Sequence, residues 1–380
     1  MLAWKSSAAR AGCDRGTRQT SGSGVDKQRR VTTLVAPMRF HHTALAAVEY
    51  VLPDERVPSL ALEAALESVY RRFGLHAGRL ELMTGIRERR FFPPGTRPSA
   101  VAAQAGRKAL ERAAFPAQRV GLLVHSSVCR DFLEPATASV VHDALGLGAH
   151  CPAFDLSNAC LGFANALTTA AVQIELGVIP AALVVAGECG RALVEETIQA
   201  LTKAEKLTKG QLKGAFASLT IGSGAAAALL VHRELAPRAP RLVAATARAA
   251  TRHHVLCHGD YAGDGMLMET DSEALMHAGN ELARETFPAF LAEAEWRLEQ
   301  LDNVITHQVG VAHRKLLLAS LGIDARIDFP TVEEFGNVGS VSLPLTLARA
   351  REQGALPEGR RAALLGIGSG LQCQMLAIHT

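Results

Sequence analysis

"CPAFDLSNACLGFANALTTAAVQIELG", residues 151–177, combines a short strand pattern, a polar turn and a long helix pattern. Residues 151–157 predict the strand, and the small-residue run 160–177 predicts a helix that ends at Gly177. Cys160 therefore lies where the chain leaves a strand and enters a helix. The partial positive charge of a helix N-terminus lowers the pKa of a nearby thiol, so we expect a nucleophilic Cys160. A buried structural cysteine is the alternative interpretation.

The same order of elements recurs later in the chain. Residues 302–310 predict a strand that ends in polar residues, residues 333–352 a turn that enters a helix, and residues 361–370 a strand that ends in glycine. Cys160 and Asn337 fall at matching turns of the two sets. An internal repeat is important evidence in assigning a fold, although any α/β protein shows some similarity of this kind between its parts.

The repeat predicts a mixed α/β protein made of two halves. The N-terminal half covers residues 38–235 and the C-terminal half residues 236–380, joined near the Pro-rich, charged stretch 231–241. A chain of 380 residues, 48% of them hydrophobic, is long enough for one large domain or two fused halves.

The first 37 residues differ in composition from the rest. They hold seven basic and two acidic residues and no apolar segment of the kind found in secretory signals. We interpret residues 1–37 as a disordered or non-native N-terminal extension, with Met38 as the natural start; a transit peptide is the alternative. The remaining residues carry slightly more acidic than basic side chains, which argues against a nucleic-acid partner.

Cysteine usage and hydropathy indicate where the protein works. Seven cysteines, an odd number without a C-x-x-C pair, argue against a disulfide framework and favour the reducing cytoplasm. No run of 18 apolar residues occurs, so we expect no membrane span.

Two further residues are candidates for chemistry beside Cys160. His307 follows an apolar strand in "VITHQVG", at the strand end where open α/β sheets place their sites. Asn337 lies in "GNVGS" at the turn that matches Cys160. Each has an ordinary alternative, a surface or capping histidine and a turn asparagine. The repeat strengthens both because it brings their elements to equivalent ends of one core.

These motifs together resemble the thiolase superfamily, in its branch of ketoacyl synthase III-like condensing enzymes. The resemblance rests on "NACLGF" (158–163), "THQVG" (306–310), "GNVGSVSLP" (336–344) and "GIGSGL" (366–371), and it extends from about residue 38 to residue 380. It implies a five-layer αβαβα thiolase fold with two pseudo-symmetric halves and an obligate homodimer.

Within that branch the chain is most similar to the thiolases of olefin biosynthesis, which join two fatty acyl-CoA molecules head to head. "SSVCRDFLEPATASVV" (126–141) and "LLGIGSGLQC" (364–373) carry this likeness. In those enzymes a glutamate of the LEP segment reaches the partner subunit's active site, and Glu134 occupies the matching place. Typical priming ketosynthases lack this glutamate, and they have an asparagine where this chain has Gly310. Without the resemblance, Glu134 is simply a solvated loop carboxylate.

The resemblance implies a mechanism and a set of site residues. Cys160 takes the acyl chain, and the backbone N–H groups of Cys160 and Ser369 form the oxyanion hole. Glu134 removes the α-proton of a second acyl-CoA, and His307 and Asn337 bind the enolate oxygen. The expected reaction is a non-decarboxylative Claisen condensation of two fatty acyl-CoAs.

Other functions stay open on the sequence alone. The main alternative is a 3-oxoacyl-ACP synthase III-type decarboxylative condensation with a malonyl thioester, in which no base is needed. A non-catalytic partner subunit, a simple acyltransferase and a thioesterase are further alternatives. Donors are acyl-CoA or acyl-ACP, with coenzyme A thioesters as substrates and no metal or bound cofactor.

Three remaining features have weaker assignments. Arg248 and Arg252 are candidates for binding the CoA phosphates, although a solvated basic face explains them equally well. The histidine-rich stretch 252–258 has a spacing compatible with metal ligands, but the family uses no metal. Residues 195–219 predict an amphipathic helical insertion that caps or lines an acyl tunnel, or simply adds to the core.

Overall fold

The computed structural model describes residues 38–262 and 265–380, and for residues 260–267 this description extends to the backbone only. The interpretation of residues 1–37 as an extension lies outside the described residues. The strands in chain order are β1 Met38–Arg39, β2 Thr43–Val51, β3 Glu55–Pro58, β4 Glu88–Phe91, β5 Leu123–His125, β6 Ala153–Asp155, β7 Ala181–Glu188, β8 Gly224–His232, β9 Arg241–Ala249, β10 Cys257–Ala262, β11 Gly265–Thr270, β12 Asn303–Thr306, β13 Arg361–Gly368 and β14 Gln372–His379.

The helices alternate with these strands as the sequence predicts. They are α1 Ser59–Ala65, α2 Glu67–Phe73, α3 Arg79–Thr84, α4 Pro98–Arg112, α5 Thr137–Ala144, α6 Gly162–Glu175, α7 Arg191–Lys203, α8 Lys209–Ala215, α9 Ser272–Ala294, α10 Val311–Ser320, α11 Val332–Phe335 and α12 Ser342–Glu352. No helix in the described ranges is long and apolar enough to cross a bilayer.

Most strands belong to one 10-stranded sheet with the order β12-β13-β14-β9-β2-β8-β7-β5-β6, in which β1 also pairs with β9. The two predicted halves supply opposite ends of this order and meet where β2 pairs with β9 through Ala44 and Arg241. Strand β6 pairs with β5 and forms an edge, as β12 does at the other end. Strands β5 and β7 are parallel, as are β12 and β13, so their carboxyl ends point the same way within each half.

Three hydrophobic clusters separate five layers. Helix α4 and part of α5 pack on the outer face of the first half. Helices α6 and α12 form the central layer between the two halves of the sheet, and α9 and α10 cover the outer face of the second half. Buried alanines of α6, such as Ala166 and Ala170, let the central helix approach strands on both sides. This is the predicted αβαβα layering.

The individual sequence predictions agree with the structure except at boundaries. The predicted strand at 120–127 is confined to Leu123–His125, and the helix after Cys160 begins at Gly162. The predicted insertion 195–219 forms two helices, α7 and α8. Their buried leucines, Leu201 and Leu212 among them, pack in a satellite cluster with α1 and α2.

Candidate active site

Cys160 lies in a turn between β6 and α6 that has an unusual backbone. Ala159, directly before it, has φ of 45°, in the left-handed region that residues with a Cβ rarely adopt. Backbone bonds from Leu161 N to Asn158 O at 2.9 Å and from Gly162 N to Ala159 O at 3.2 Å close the turn. A strained turn of this kind holds a side chain in a fixed direction, and strain clusters at functional sites.

A network of side-chain hydrogen bonds joins this turn to α6 and β14. The amide of Asn158 donates to Asn165 Oδ1 at 2.7 Å and exchanges bonds with Gln372 at 3.1 and 3.3 Å. Asn165 in turn donates to Gln374 Oε1, and Gln374 donates to Thr168 Oγ1 at 2.6 Å. Since α6 belongs to the first half and β14 to the second, the network ties the turn to both halves. Sequence reasoning missed it, because its members are far apart in the chain.

The acidity of Cys160 corrects the expectation drawn from its position. Burial, together with the nearby carboxylate of Glu188 and the thiol of Cys257, raises the pKa of the Cys160 thiol to about 12. The expected lowering by the helix terminus is wrong for this state, because the helix begins two residues later and desolvation of the thiolate dominates. The resting group is therefore a neutral thiol.

The end of β13 lies directly against the Cys160 turn. A Cβ placed on Gly368 would lie 2.9 Å from Cγ of Leu161, and one on Gly366 would lie 2.6 Å from its Cδ2. Glycine is required at both positions for this close approach. The turn that contains Ser369 follows Gly368 immediately, and the role of its backbone N–H in an oxyanion hole stays a prediction.

His307 stands at the carboxyl end of β12 next to the same strand. Its backbone N–H donates to Leu365 O at 2.8 Å, one residue before Gly366. The side chain is buried, with 2% exposure, and neither ring nitrogen has a hydrogen-bond partner among the described residues. Burial, with a contribution from His313, lowers the pKa of His307 to about 3, so the imidazole is neutral at physiological pH. Buried polar atoms are usually hydrogen-bonded, so two ring nitrogens without partners are typical of a histidine that binds a substrate.

Asn337 is held by backbone bonds to the segment before β8. Its N–H donates to Thr220 O at 2.9 Å, and its carbonyl accepts from Gly222 N at 2.9 Å. Its side-chain Oδ1 accepts from Gly339 N at 3.0 Å. Because the oxygen is engaged in this way, the NH₂ group is the end of the amide that can donate to a ligand.

Glu188, at the end of β7, is a buried carboxylate that the sequence reasoning missed. Its side chain is 4% exposed and accepts hydrogen bonds from Val128 N, Cys129 N and both the backbone and hydroxyl of Ser340, at 3.0, 3.2, 3.2 and 2.6 Å. A signal was present: an acidic residue that closes the apolar strand 181–188 is costly to bury without partners.

Glu134 lies in an exposed loop between β5 and α5. Asp131 anchors the loop by accepting from Ser99 N at 2.9 Å and Ser99 Oγ at 2.5 Å, and Arg97 stacks on Phe132 at 4.9 Å. Between this anchor and α5 the chain projects outward, with Leu133 95% exposed and a cis bond between Glu134 and Pro135. The side chain of Glu134 is therefore exposed, whereas Cys160 is half-buried.

The two candidate arginines lie on the exposed rim of the second half. Arg248 is near the end of β9 and Arg252 is in the short helical turn 251–256, and both side chains are exposed. The chain continues from this turn into β10, whose first residue, Cys257, acts electrostatically on Cys160. Cys257, five residues after Arg252, is therefore close to Cys160.

Comparison with known proteins supplies the family of this site. Residues 291–380 match the family described as 3-oxoacyl-[acyl-carrier-protein (ACP)] synthase III C terminal. The chain is 38% identical over 341 residues to an acyl-CoA:acyl-CoA alkyltransferase of Xanthomonas campestris pv. campestris, with 90% of this chain and 99% of that protein covered. It belongs to the acyl-CoA:acyl-CoA alkyltransferase family. A second such alkyltransferase, from Shewanella oneidensis, is 39% identical over 349 residues and also covers 90% of this chain and 99% of its own.

Membership of the acyl-CoA:acyl-CoA alkyltransferase family agrees with the three-dimensional likeness. The crystal structure of Xanthomonas campestris OleA with bound cerulenin superposes with a TM-score of 0.87 at 37% identity, covering 90% of this chain and 98% of that one. The predicted resemblance, the thiolase fold and the acyltransferase class are confirmed. The roles of the individual site residues remain predictions.

Proposed function

We propose that this protein joins two fatty acyl-CoAs by a non-decarboxylative Claisen condensation through an acyl-Cys160 intermediate. The observation that carries the proposal is the likeness to two acyl-CoA:acyl-CoA alkyltransferases over 90% of the chain. The product is a 2-alkyl-3-ketoacyl-CoA, a precursor for long-chain olefins or related lipids.

In the first half-reaction the sulfur of Cys160 attacks the thioester carbonyl of one acyl-CoA. The thiol is neutral at rest, so its proton must leave as the C–S bond forms, and the proposed acceptor is the free lone pair of the neutral His307 imidazole. The backbone N–H groups of Cys160 and Ser369 bind the developing oxyanion. The C–S bond to CoA then breaks, and the departing thiolate takes up the proton.

In the second half-reaction a carbanion forms at the α-carbon of the second acyl-CoA. Glu134 of the partner subunit accepts the α-proton, and N–H donors of His307 and Asn337 stabilise the enolate oxygen. The α-carbon attacks the carbonyl of acyl-Cys160, a C–C bond forms, and the Cys160 thiolate leaves and is reprotonated. Only protons and acyl groups move, so coenzyme A thioesters suffice and neither a metal nor a redox cofactor takes part.

A homodimer is needed for this arrangement, and the surface of the chain supports one. Edge strand β6 exposes Phe154, and the adjacent loop exposes Val128, Phe132 and Leu133. Exposed edge strands beside apolar patches are typical of protein–protein interfaces. A second copy placed there receives Glu134 in its own active site.

The CoA moiety of the substrate is the part that Arg248 and Arg252 are positioned to bind. Both side chains are exposed on the rim beside the site, and guanidinium groups form bidentate bonds with phosphates. An acyl-ACP donor presents its phosphopantetheine phosphate to the same arginines. We place the reaction in the reducing cytoplasm, where the free thiols of the described cysteines persist.

A decarboxylative synthase is the second candidate, because residues 291–380 match a synthase III family. That segment contains His307 and Asn337, which both reactions use, so the match does not decide between them. The test is incubation of the purified protein with a single long-chain acyl-CoA. We expect release of CoA and formation of the 3-keto product; a strict requirement for a malonyl thioester contradicts the proposal.

The role of Glu134 is tested by mixed dimers. Chains with Glu134→Ala and chains with Cys160→Ala are each expected to be inactive as homodimers. When they are co-expressed with different tags, the mixed dimer has one intact site, composed of one chain's Cys160 and the partner subunit's Glu134. Condensation by the purified mixed dimer supports the base in trans, and an inactive mixed dimer argues against it.

A further inference from the structure

Glu188 occupies a position between the two segments that the proposed reaction must bring together. Its Oε2 accepts from Cys129 N, and its Oε1 accepts from Val128 N and from Ser340. Residues 128 and 129 begin the loop that carries Glu134, and Ser340 follows the turn of Asn337. One buried carboxylate therefore binds the loop of the base and the turn of the enolate donor.

The fit around Glu188 is close on the Asn337 side. Gly339 has φ of 55°, and a Cβ placed on it would lie 3.0 Å from Oε1 of Glu188. The same Gly339 donates its N–H to Asn337 Oδ1 at 3.0 Å. The carboxylate binds Ser340, and the adjacent Gly339 binds the Asn337 amide, so a shift of the carboxylate moves the turn that directs the amide.

The fit on the Glu134 side is equally direct. The two backbone N–H groups that Glu188 binds lie two and three residues before Asp131, which fixes the loop a second time through Ser99. These anchors set the point from which residues 132–135 project outward. Bonds to an ionised acceptor are stronger than those to a neutral one, so the negative charge of Glu188 stiffens the base of the loop.

We propose that Glu188 is a positioning residue that sets both the Glu134 loop, which serves the partner's site, and the Asn337 turn, which serves its own. The proposal rests on the proposed condensation and adds a residue to it. In the dimer each Glu188 then acts on two active sites. Its charge near Cys160 also opposes formation of a free thiolate.

The test variant is Glu188→Gln, which keeps the size of the side chain. The amide nitrogen can no longer accept from Cys129 N, and the remaining oxygen is a weaker acceptor for Ser340. The matched control is Glu63→Gln. Glu63 is also buried and accepts from Gly78 N, Leu80 N and Tyr70 Oη at 2.5, 2.6 and 3.0 Å, but it joins α1 to α3.

The experiment places the variant on one chain of the mixed dimer at a time. On the Cys160→Ala chain, Glu188→Gln acts on the single intact site only through the loop of Glu134. On the Glu134→Ala chain, it acts through Asn337 and also removes the charge near Cys160; because that charge opposes the thiolate, its removal does not explain a loss of condensation. We expect either placement to lower condensation about tenfold and to raise the fraction of acyl-enzyme that is hydrolysed to fatty acid, while Glu63→Gln does neither. A loss from only one placement, or from neither, overturns the proposal.

Two further measurements distinguish failure of the Glu188 proposal from failure of the proposed condensation with Glu134 as the base in trans. If the parent mixed dimer is inactive, the base in trans fails, whatever Glu188 does. Hydrogen exchange then decides the role of Glu188 in homodimers: the amides of Val128, Cys129 and Ser340 should exchange faster in Glu188→Gln, and unchanged exchange in either segment overturns it.

Discussion

Acid should destabilise this protein through two histidines of the second half, His307, which is buried, and His313, which is half-buried. Burial lowers the pKa of His307 to about 3 and the pKa of His313 to about 4, against 6.5 for the exposed imidazole. Nδ1 of His313, like both ring nitrogens of His307, is buried without a hydrogen-bond partner among the described residues. Between these values and pH 6.5 the unfolded chain binds protons that the folded chain excludes. Stability is therefore intact above pH 6.5 and is lost as the pH falls below it.

The size of the effect follows from the unfolded state. At pH 5 an unfolded imidazole with the ordinary pKa is about 97% protonated, and its protonation stabilises the unfolded chain by about 2 kcal/mol. The result depends little on the folded pKa, since both folded values lie well below pH 5. The two histidines together should cost about 4 kcal/mol of the free energy of unfolding between pH 7.5 and pH 5.

The measurement is urea unfolding of wild type and His313→Gln at both pH values and one protein concentration. The variant should lose about 2 kcal/mol less than wild type on acidification. His76→Gln, which changes an exposed histidine in the loop before α3, is the control and should behave like wild type. If wild type and His313→Gln lose the same free energy within about 0.5 kcal/mol, the reasoning is refuted.

Three other outcomes follow from the site and its surface. Because burial raises the pKa of Cys160 to about 12, its alkylation by iodoacetamide should accelerate about tenfold per pH unit from pH 7 to 9; a plateau by pH 8 contradicts this. Gly368→Ala places a Cβ 2.9 Å from Leu161, so it should lower the free energy of unfolding by about 1–3 kcal/mol and also reduce the release of CoA. Gly210→Ala is the control and should be tolerated, because the nearest atom to its added Cβ is 3.9 Å away. Phe154→Arg on the edge strand should give monomers in sedimentation analysis and abolish condensation; a fully active dimer of this variant argues against the proposed interface.

The fold could be predicted well from the sequence because its signals are local. Apolar runs that end in glycine or polar residues mark β7, β12 and β13, and the small-residue pattern after Cys160 marks α6. The repeat then placed Cys160, His307 and Asn337 at related positions. Boundaries were less accurate, since the helix start moved from Cys160 to Gly162. The expected change in thiol acidity was reversed mainly because burial raises the pKa of Cys160, which no local pattern showed.

The parts that could not be predicted depend on contacts between distant segments. The donors that surround Glu188 come from residues 60 and 152 positions away, and the amide network below Cys160 joins positions 214 residues apart. No local pattern encodes such pairs. The isolated acidic residue at the end of β7 signals only that partners must exist, since a buried carboxylate without them is too costly.

The electrostatic state of the resting site fits the two opposite demands of the proposed reaction. In the first half-reaction His307 must accept a proton from Cys160, and in the second it must donate a hydrogen bond to an enolate. A neutral imidazole has one lone pair and one N–H, so it can do both, whereas a protonated imidazolium can only donate. Burial, which lowers the pKa of His307 to about 3 and raises that of Cys160 to about 12, keeps both groups neutral between turnovers. The site therefore forms charge only when a thioester is present to receive it, and the preorganised N–H donors then stabilise that charge without reorganisation.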